Sequence, residues 1–197
     1  MDDEPHPDWV IPPYEGFVAE DLDRLTALPR HTELIDGSLV IPGPKDLFHQ
    51  KTLSLLELSL HATAPDELEV IGQMTVTLSA RQRPEPDIMI VGASAMTGLD
   101  QTTFQAGDAI LVAEVITPES RERDEKRKPS LYAEAGIPNF WLVENIESRA
   151  VVRVYELVPD TSTYKLTGIY HDRLELSVPF SIDIDLTKIN KSRRDNA

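Results

Sequence analysis

The chain has 197 residues, 41% of them hydrophobic and 27% charged, and its 34 acidic against 19 basic side chains leave a formal charge of −15. That length suffices for one well-cored globular domain, and such acidity argues against a protein that coats nucleic acid through its overall field. Without cysteine, a disulfide scaffold, a thiolate metal site and a cysteine nucleophile are excluded, so any metal must sit on oxygen or imidazole.

Residues 1–16, MDDEPHPDWVIPPYEG, form an acidic, proline-rich arm expected to be weakly ordered. They have neither a basic start nor an apolar core, and no later stretch approaches the ~20 apolar residues of a membrane span. The expectation is a cytoplasmic protein with no membrane partner. One domain is expected over residues 17–187, and residues 188–197 read as a basic tail carrying Lys191 and Arg194.

Phe17 to Leu28 carries a short helical pattern. Glu33–Val40 alternates in polarity around Asp36-Gly37, the signature of a hairpin. From Asp46 to about Ala64, an apolar stripe of Leu47, Leu53, Leu56 and Leu60 predicts an amphipathic helix stopped by Pro65, with His49 in register in its first turn. Two short strands are predicted within Glu69–Ser79. After Pro84 and Pro86, Asp87 opens the apolar strand Ile88–Val91. Gly92 to Gly107 reads as a loop.

Next comes Ile110–Ile116, ILVAEVI, apolar everywhere except Glu114. Such a run reads as a strand buried on both faces, where an ionised carboxylate costs several kcal/mol unless a counter-charge, hydrogen bonds or a metal compensates. Asp124, Lys128 and Tyr132 follow at spacings of four, one face of a helix that ends at Ala135-Gly136. Pro129 would disturb a helix interior, so that helix is expected to begin near Lys128 with Pro129 in its first turn. Asn139–Val143 is another buried strand, Val151–Leu157 and Tyr164–Tyr170 form a hairpin, and a final strand and short helix close the chain. The class is α/β (α+β), a mixed central β-sheet flanked by helices.

Consecutive strands are often neighbours, so Asp87 and Glu114 are expected to converge at one end of the sheet. Two carboxylates that close repel, and only a cation or a shared proton makes the arrangement tolerable. With oxygen ligands the expected cation is Mg²⁺ or Mn²⁺. Singly, each residue has an ordinary reading. Asp87 suits a cap, Glu114 the partner of a buried lysine or arginine, His49 a satisfied helix histidine, Lys128 surface charge, and Glu33 an exposed cross-strand pair.

The order E-L-I-D-G, a His in a helix, P-D-I-M-I-V, E-V-I-T-P-E-S and D-E-K-R-K-P-S-L-Y-A-E-A-G-I-P-N-F-W-L-V resembles the bacterial Uma-type family of restriction-endonuclease-like proteins, formerly a domain of unknown function. That family lies in the PD-(D/E)XK nuclease superfamily, and the resemblance runs from about Phe17 to about Leu186. It implies a restriction-endonuclease-like fold and a divalent-metal-dependent endonuclease that hydrolyses phosphodiester bonds, with DNA as the expected substrate. By resemblance, Asp87 is the aspartate of the PD motif, Glu114 the second acid and Glu33 the acid of the first motif, together the metal ligands. His49 matches the His opening the following helix. The superfamily lysine normally stands two residues past the second acid, where this chain has Ile116. The family's lysine four residues before a tyrosine corresponds to Lys128, with Lys126 as its rival. The alternative is a catalytically silent nuclease-like fold used for protein interaction or regulation. As a nuclease, the acidic chain needs a local basic rim beside Asp87 and Glu114, and many such enzymes cut as homodimers.

Overall fold

In the computed structural model, residues 7, 9–25 and 27–190 are described. Residues 1–6 and 8 of the N-terminal arm and residues 191–197 of the basic tail, including Lys191 and Arg194, lie outside them. Among the described residues no helix is long and apolar enough to cross a membrane.

The predicted helix at Phe17–Leu28 shrinks to one turn, α1 (Asp21–Arg24). Asp21 folds its carboxylate back onto the Val18 amide at 2.9 Å, and Ala27 adopts a left-handed φ of 63° that ends any helix there. The hairpin follows as β1 (Glu33–Ile35) and β2 (Ser38–Val40). Asp36 and Gly37 both take positive φ, 54° and 74°, which matches the right-handed twist of the two strands.

The amphipathic helix is α2 (Leu47–His61). Asp46 caps it by accepting from the His49 amide at 2.8 Å, satisfying one of the free donors of the first turn. Its buried face is His49, Thr52, Leu53, Leu56 and Leu60. Leu47, expected in that stripe, is 71% exposed, because the first helical residue faces away from the sheet. β3 (Leu68–Gly72), β4 (Thr75–Thr77) and β5 (Ile88–Gly92) come next. The expected loop then contains a short strand, β6 (Thr103–Gln105), paired in parallel with β4 and anchored by the buried Phe104.

β7 (Ala109–Val115) carries Glu114. The chain is continuously helical from Arg121, earlier than the expected start near Lys128: Arg123–Arg127 is π-helical and runs straight into α3 (Lys128–Glu134), whose first turn holds Pro129. β8 (Asn139–Ile146), β9 (Arg149–Val158) and β10 (Thr163–Tyr170) complete the sheet. The end of the chain supplies a hairpin rather than one strand, β11 (Arg173–Leu176) with β12 (Ile182–Asp185), and then a 3₁₀ turn over Leu186–Ile189.

The six-stranded sheet has the order β10-β9-β8-β7-β5-β3. Only the β7–β8 pair is parallel, with α3 in the crossover; the other pairs are antiparallel. Both faces are covered, which is why β5, β7 and β8 are nearly continuous apolar runs. On one face Leu53, Leu56 and Leu60 of α2 pack with Ile88, Leu111 and Trp141 and with Ile182 and Ile184 of the terminal hairpin. On the other, Tyr132 of α3 packs with Met89, Val112, Phe140 and Phe104. The fold is a mixed α+β sheet flanked by few helices.

Candidate active site

β5 and β7 pair so that Ile88 stands opposite Ala113. One step further along, Asp87 precedes β5 and meets Glu114 and Val115 at the end of β7. The Val115 amide donates to Asp87 Oδ2 at 2.8 Å, so the aspartate ties the two strands together by its side chain. Its other oxygen, Oδ1, receives Lys45 Nζ at 2.6 Å and lies 2.9 Å from His49 Nε2. That contact puts a proton on Nε2 of His49, whose buried Nδ1 has no hydrogen-bond partner.

Glu114 is 2% exposed. Tyr132 donates its hydroxyl to Oε1 at 2.6 Å and Lys128 approaches Oε2 at 3.0 Å. The same ammonium lies 2.8 Å from Glu33 Oε1 and 3.4 Å from Asp124 Oδ1. Glu33 also accepts from the Glu85 amide at 2.8 Å, which fixes the hairpin β1–β2 beside the sheet. The spacing Asp124, Lys128, Tyr132 thus does put three side chains on one face.

Glu33, His49, Asp87, Glu114 and Lys128, scattered between positions 33 and 128, line one cleft. Three of the ordinary readings fail on burial. Glu33 is 4% exposed rather than an exposed hairpin residue, Lys128 is 4% exposed rather than surface charge, and Asp87, 4% exposed, is contacted by Lys45 and His49 rather than only capping a turn. Lys126, the rival lysine, points to solvent and pairs with Glu122 at 3.3 Å, away from the cleft. Sequence reasoning missed Lys45 and gave Asp124 and Tyr132 no role. Asp124 and Tyr132 had a signal in their spacing; Lys45, in an irregular stretch between β2 and α2, had none.

Electrostatics divides the site in two. Burial pushes the Asp87 carboxyl up, but the hydrogen bond from His49 and the charge of Lys45 outweigh it and hold the group at about 2. At the other end burial raises Glu114 well above the usual carboxylate range, and the nearby Asp124, Asp87 and Glu33 act in the same sense against Lys128. Burial likewise raises Asp124. For Lys128 burial lowers the ammonium, yet Glu114, Glu33 and Asp124 reverse this and raise it well above the usual value. Lys128 is therefore charged, and one ammonium is shared by three carboxylates. The cleft has six carboxylates, with Glu85 and Glu119 added, against the cations Lys45, Arg123 and Lys128.

A family model described as "Putative restriction endonuclease" matches residues 19–187. The chain belongs to the Uma2 family. No curated protein matches it. Among solved structures, the fold is similar to the crystal structure of "a putative nuclease belonging to DUF820 from Anabaena variabilis ATCC 29413". That match has a TM-score of 0.63 at 13% identity and covers 88% of this chain and 97% of that one. The Uma2 assignment supports a nuclease, with nucleic acid in general as its substrate.

The cleft fits a hard divalent cation in its donor chemistry. Its oxygen donors are carboxylates that outnumber the cations, and the buried Asp124 Oδ1 makes no hydrogen bond, only a 3.4 Å ion pair with Lys128. Among the described residues, however, no three His, Asp or Glu side chains are grouped so as to hold a metal ion. Lys45 and Lys128 stand between them, supplying the compensating positive charge that the juxtaposed acids require.

Proposed function

We propose that this Uma2 protein is a divalent-metal-dependent endonuclease that hydrolyses phosphodiester bonds, with DNA as substrate. The observation that carries this reading is the meeting of Asp87 and Glu114 across the β5–β7 pair, beside a buried lysine, in one acid-lined cleft. Asp87 and Glu114, with Glu33, would hold Mg²⁺ or Mn²⁺. When bound, the cation supplies Lewis acidity toward a phosphate oxygen and makes water a better nucleophile.

The chain's own residues do the rest. The Val115 amide and the His49 imidazole orient Asp87, while Tyr132 orients Glu114. His49 is 1% exposed and spent on Asp87, so it acts as a positioning group rather than as a donor to phosphate. Lys128 keeps three carboxylates together and stabilises negative charge that develops on the phosphate. In the reaction a water oxygen bonds to phosphorus and gives up a proton, the P–O bond to one sugar oxygen breaks, and that oxygen takes up a proton to leave as an alcohol, so that one water is consumed.

A second reading, a silent nuclease-like fold serving protein interaction, is favoured by one observation. The one arginine that lines the cleft among the described residues, Arg123, is already matched with an acid, Glu119. The experiment is incubation of a mixed DNA and RNA panel with Mn²⁺, Mg²⁺ or EDTA. Metal-dependent scission of DNA that Glu114→Gln abolishes is expected; an intact panel in both metals favours the second reading.

A further inference from the structure

Two lysines reach the acids of the cleft, and they are held very differently. Lys128 is 5% exposed in its side chain and contacts three carboxylates. Lys45 is 21% exposed, and its ion pair among the described residues is with Asp87 alone. It also sits in the irregular stretch between β2 and α2, beside Pro42, Gly43 and Pro44, with no helix or strand to hold its backbone in place. A buried ammonium with three partners is fixed. A half-buried one with a single partner and a long flexible stem is free to exchange.

We propose that Lys45 is an exchangeable cation: it neutralises Asp87 while the site is empty, and binds a phosphate of the nucleic acid once Asp87 takes up a divalent cation. The inference rests on the nuclease reading above. Asp87 Oδ1 already receives Lys45 Nζ at 2.6 Å and His49 at 2.9 Å. An oxygen so engaged cannot also serve a metal without losing one partner, and His49, buried behind it, has nowhere to go. Lys45 does, since its side chain reaches the mouth of the cleft. Two cations on one carboxylate oxygen also repel each other, whereas an ammonium beside a phosphate gains an unpaired anion.

The exchange answers the electrostatic difficulty of the chain. A protein of charge −15 whose cleft arginine, Arg123, is already paired with Glu119 offers nucleic acid little unpaired positive charge. Metal uptake would add positive charge at Asp87 and release Lys45 in the same event, so that phosphate is attracted only when the site is loaded. The site then discriminates against binding substrate in the metal-free state.

The test uses the full chain and Lys45→Met, which keeps the stem and removes the charge, with Lys45→Arg as a second variant that keeps the charge. Mn²⁺ affinity is measured by calorimetry, and binding of a fluorescent oligonucleotide duplex by anisotropy in Ca²⁺ over a range of salt. Lys45→Met is expected to bind Mn²⁺ roughly tenfold more tightly, because no ammonium competes. It should bind the duplex roughly tenfold more weakly, with a salt slope lower by about one, and Lys45→Arg should restore that slope. Mn²⁺ affinity that does not rise in Lys45→Met, or an unchanged salt slope, overturns the proposal. A parent protein that takes up no Mn²⁺ overturns the metal-site reading itself, whereas a parent that binds both ligands and is matched by Lys45→Met overturns only the role of Lys45.

Discussion

Tyr132 donates its hydroxyl to Glu114 Oε1 at 2.6 Å across a fully buried contact between α3 and β7. Burial, reinforced by the charge of Glu114, raises the phenol well above its usual range and so favours the protonated, donating form. Tyr132→Phe leaves the ring in the core beside Phe140 and deletes only this bond. Hydrogen bonds to charged groups contribute about 1.5–3 kcal/mol. The variant should lose roughly that much by denaturant titration, and cleavage should fall because Glu114 loses its fixed orientation. Full stability in Tyr132→Phe would show that the bond is idle.

Removing Lys128 should hurt far more than removing Glu114. Lys128→Met leaves Glu33, Glu114 and Asp124 facing one another with no counter-charge, a change of the kind that costs ~3–5 kcal/mol. Glu114→Gln leaves the ammonium two carboxylates and leaves Tyr132 an acceptor, so its cost should be only ~1 kcal/mol. Paired chemical-denaturation curves check the order of the two. Both variants should lack nuclease activity.

Much of this site is legible in the sequence because burial of charge violates local pattern. Glu114 stands out in Ile110–Ile116, and Asp87 stands at the start of an apolar run that is its neighbour in strand order, so the residues alone point to the β5–β7 meeting. His49 is legible through its register with Leu53, Leu56 and Leu60. Lys45 is not, since a lysine in an irregular stretch looks like any solvated residue until the fold brings it 2.6 Å from Asp87. β6 escapes notice because three residues, Thr103–Gln105, give too short a pattern, and only the burial of Phe104 marks it. The helix at Phe17–Leu28 fails for the opposite reason: its periodicity is adequate, but Ala27 turns left-handed and Arg83, buried under the segment, binds Asp23 and the Ala19 carbonyl in place of helix bonds.

Acid stability should report a pair of arginines outside the cleft. Burial pushes Glu144 up, but Arg121 at 2.5 Å and Arg153 at 2.8 Å outweigh it and lower its pKa. A carboxyl lowered in the folded state stabilises fully above its unfolded value of ~4.3, and the gain is lost as pH falls through the folded value. Glu144→Gln should therefore reduce stability at pH 7 and be indistinguishable from the parent once both states are protonated. Urea midpoints between pH 7 and the acid limit test this. A deficit that persists undiminished at low pH would assign the loss to packing.

Asp87 gives the sharpest division between a metal site and a static ion-pair cluster. From sequence, two facing acids suggest that removing one charge relieves repulsion and raises metal-free stability. Lys45 and His49 on Asp87 Oδ1 reverse that expectation, because Asp87→Asn leaves both donors without their anion and the Val115 amide with a weaker acceptor. Lys45 is free enough to turn to water, so the cost should stay near ~1–2 kcal/mol, a drop of roughly 2–8 °C in melting temperature for a chain of this size. The parent should gain about 2.7 kcal/mol at a Mn²⁺ concentration 100 times its Kd, since the cation binds only the folded state. Asp87→Asn should gain almost nothing. Thermal melts of both proteins in EDTA and in millimolar Mn²⁺ decide the matter. If Mn²⁺ raises both by the same amount, the ion binds elsewhere, and Asp87 is a structural partner of Lys45 and His49 alone.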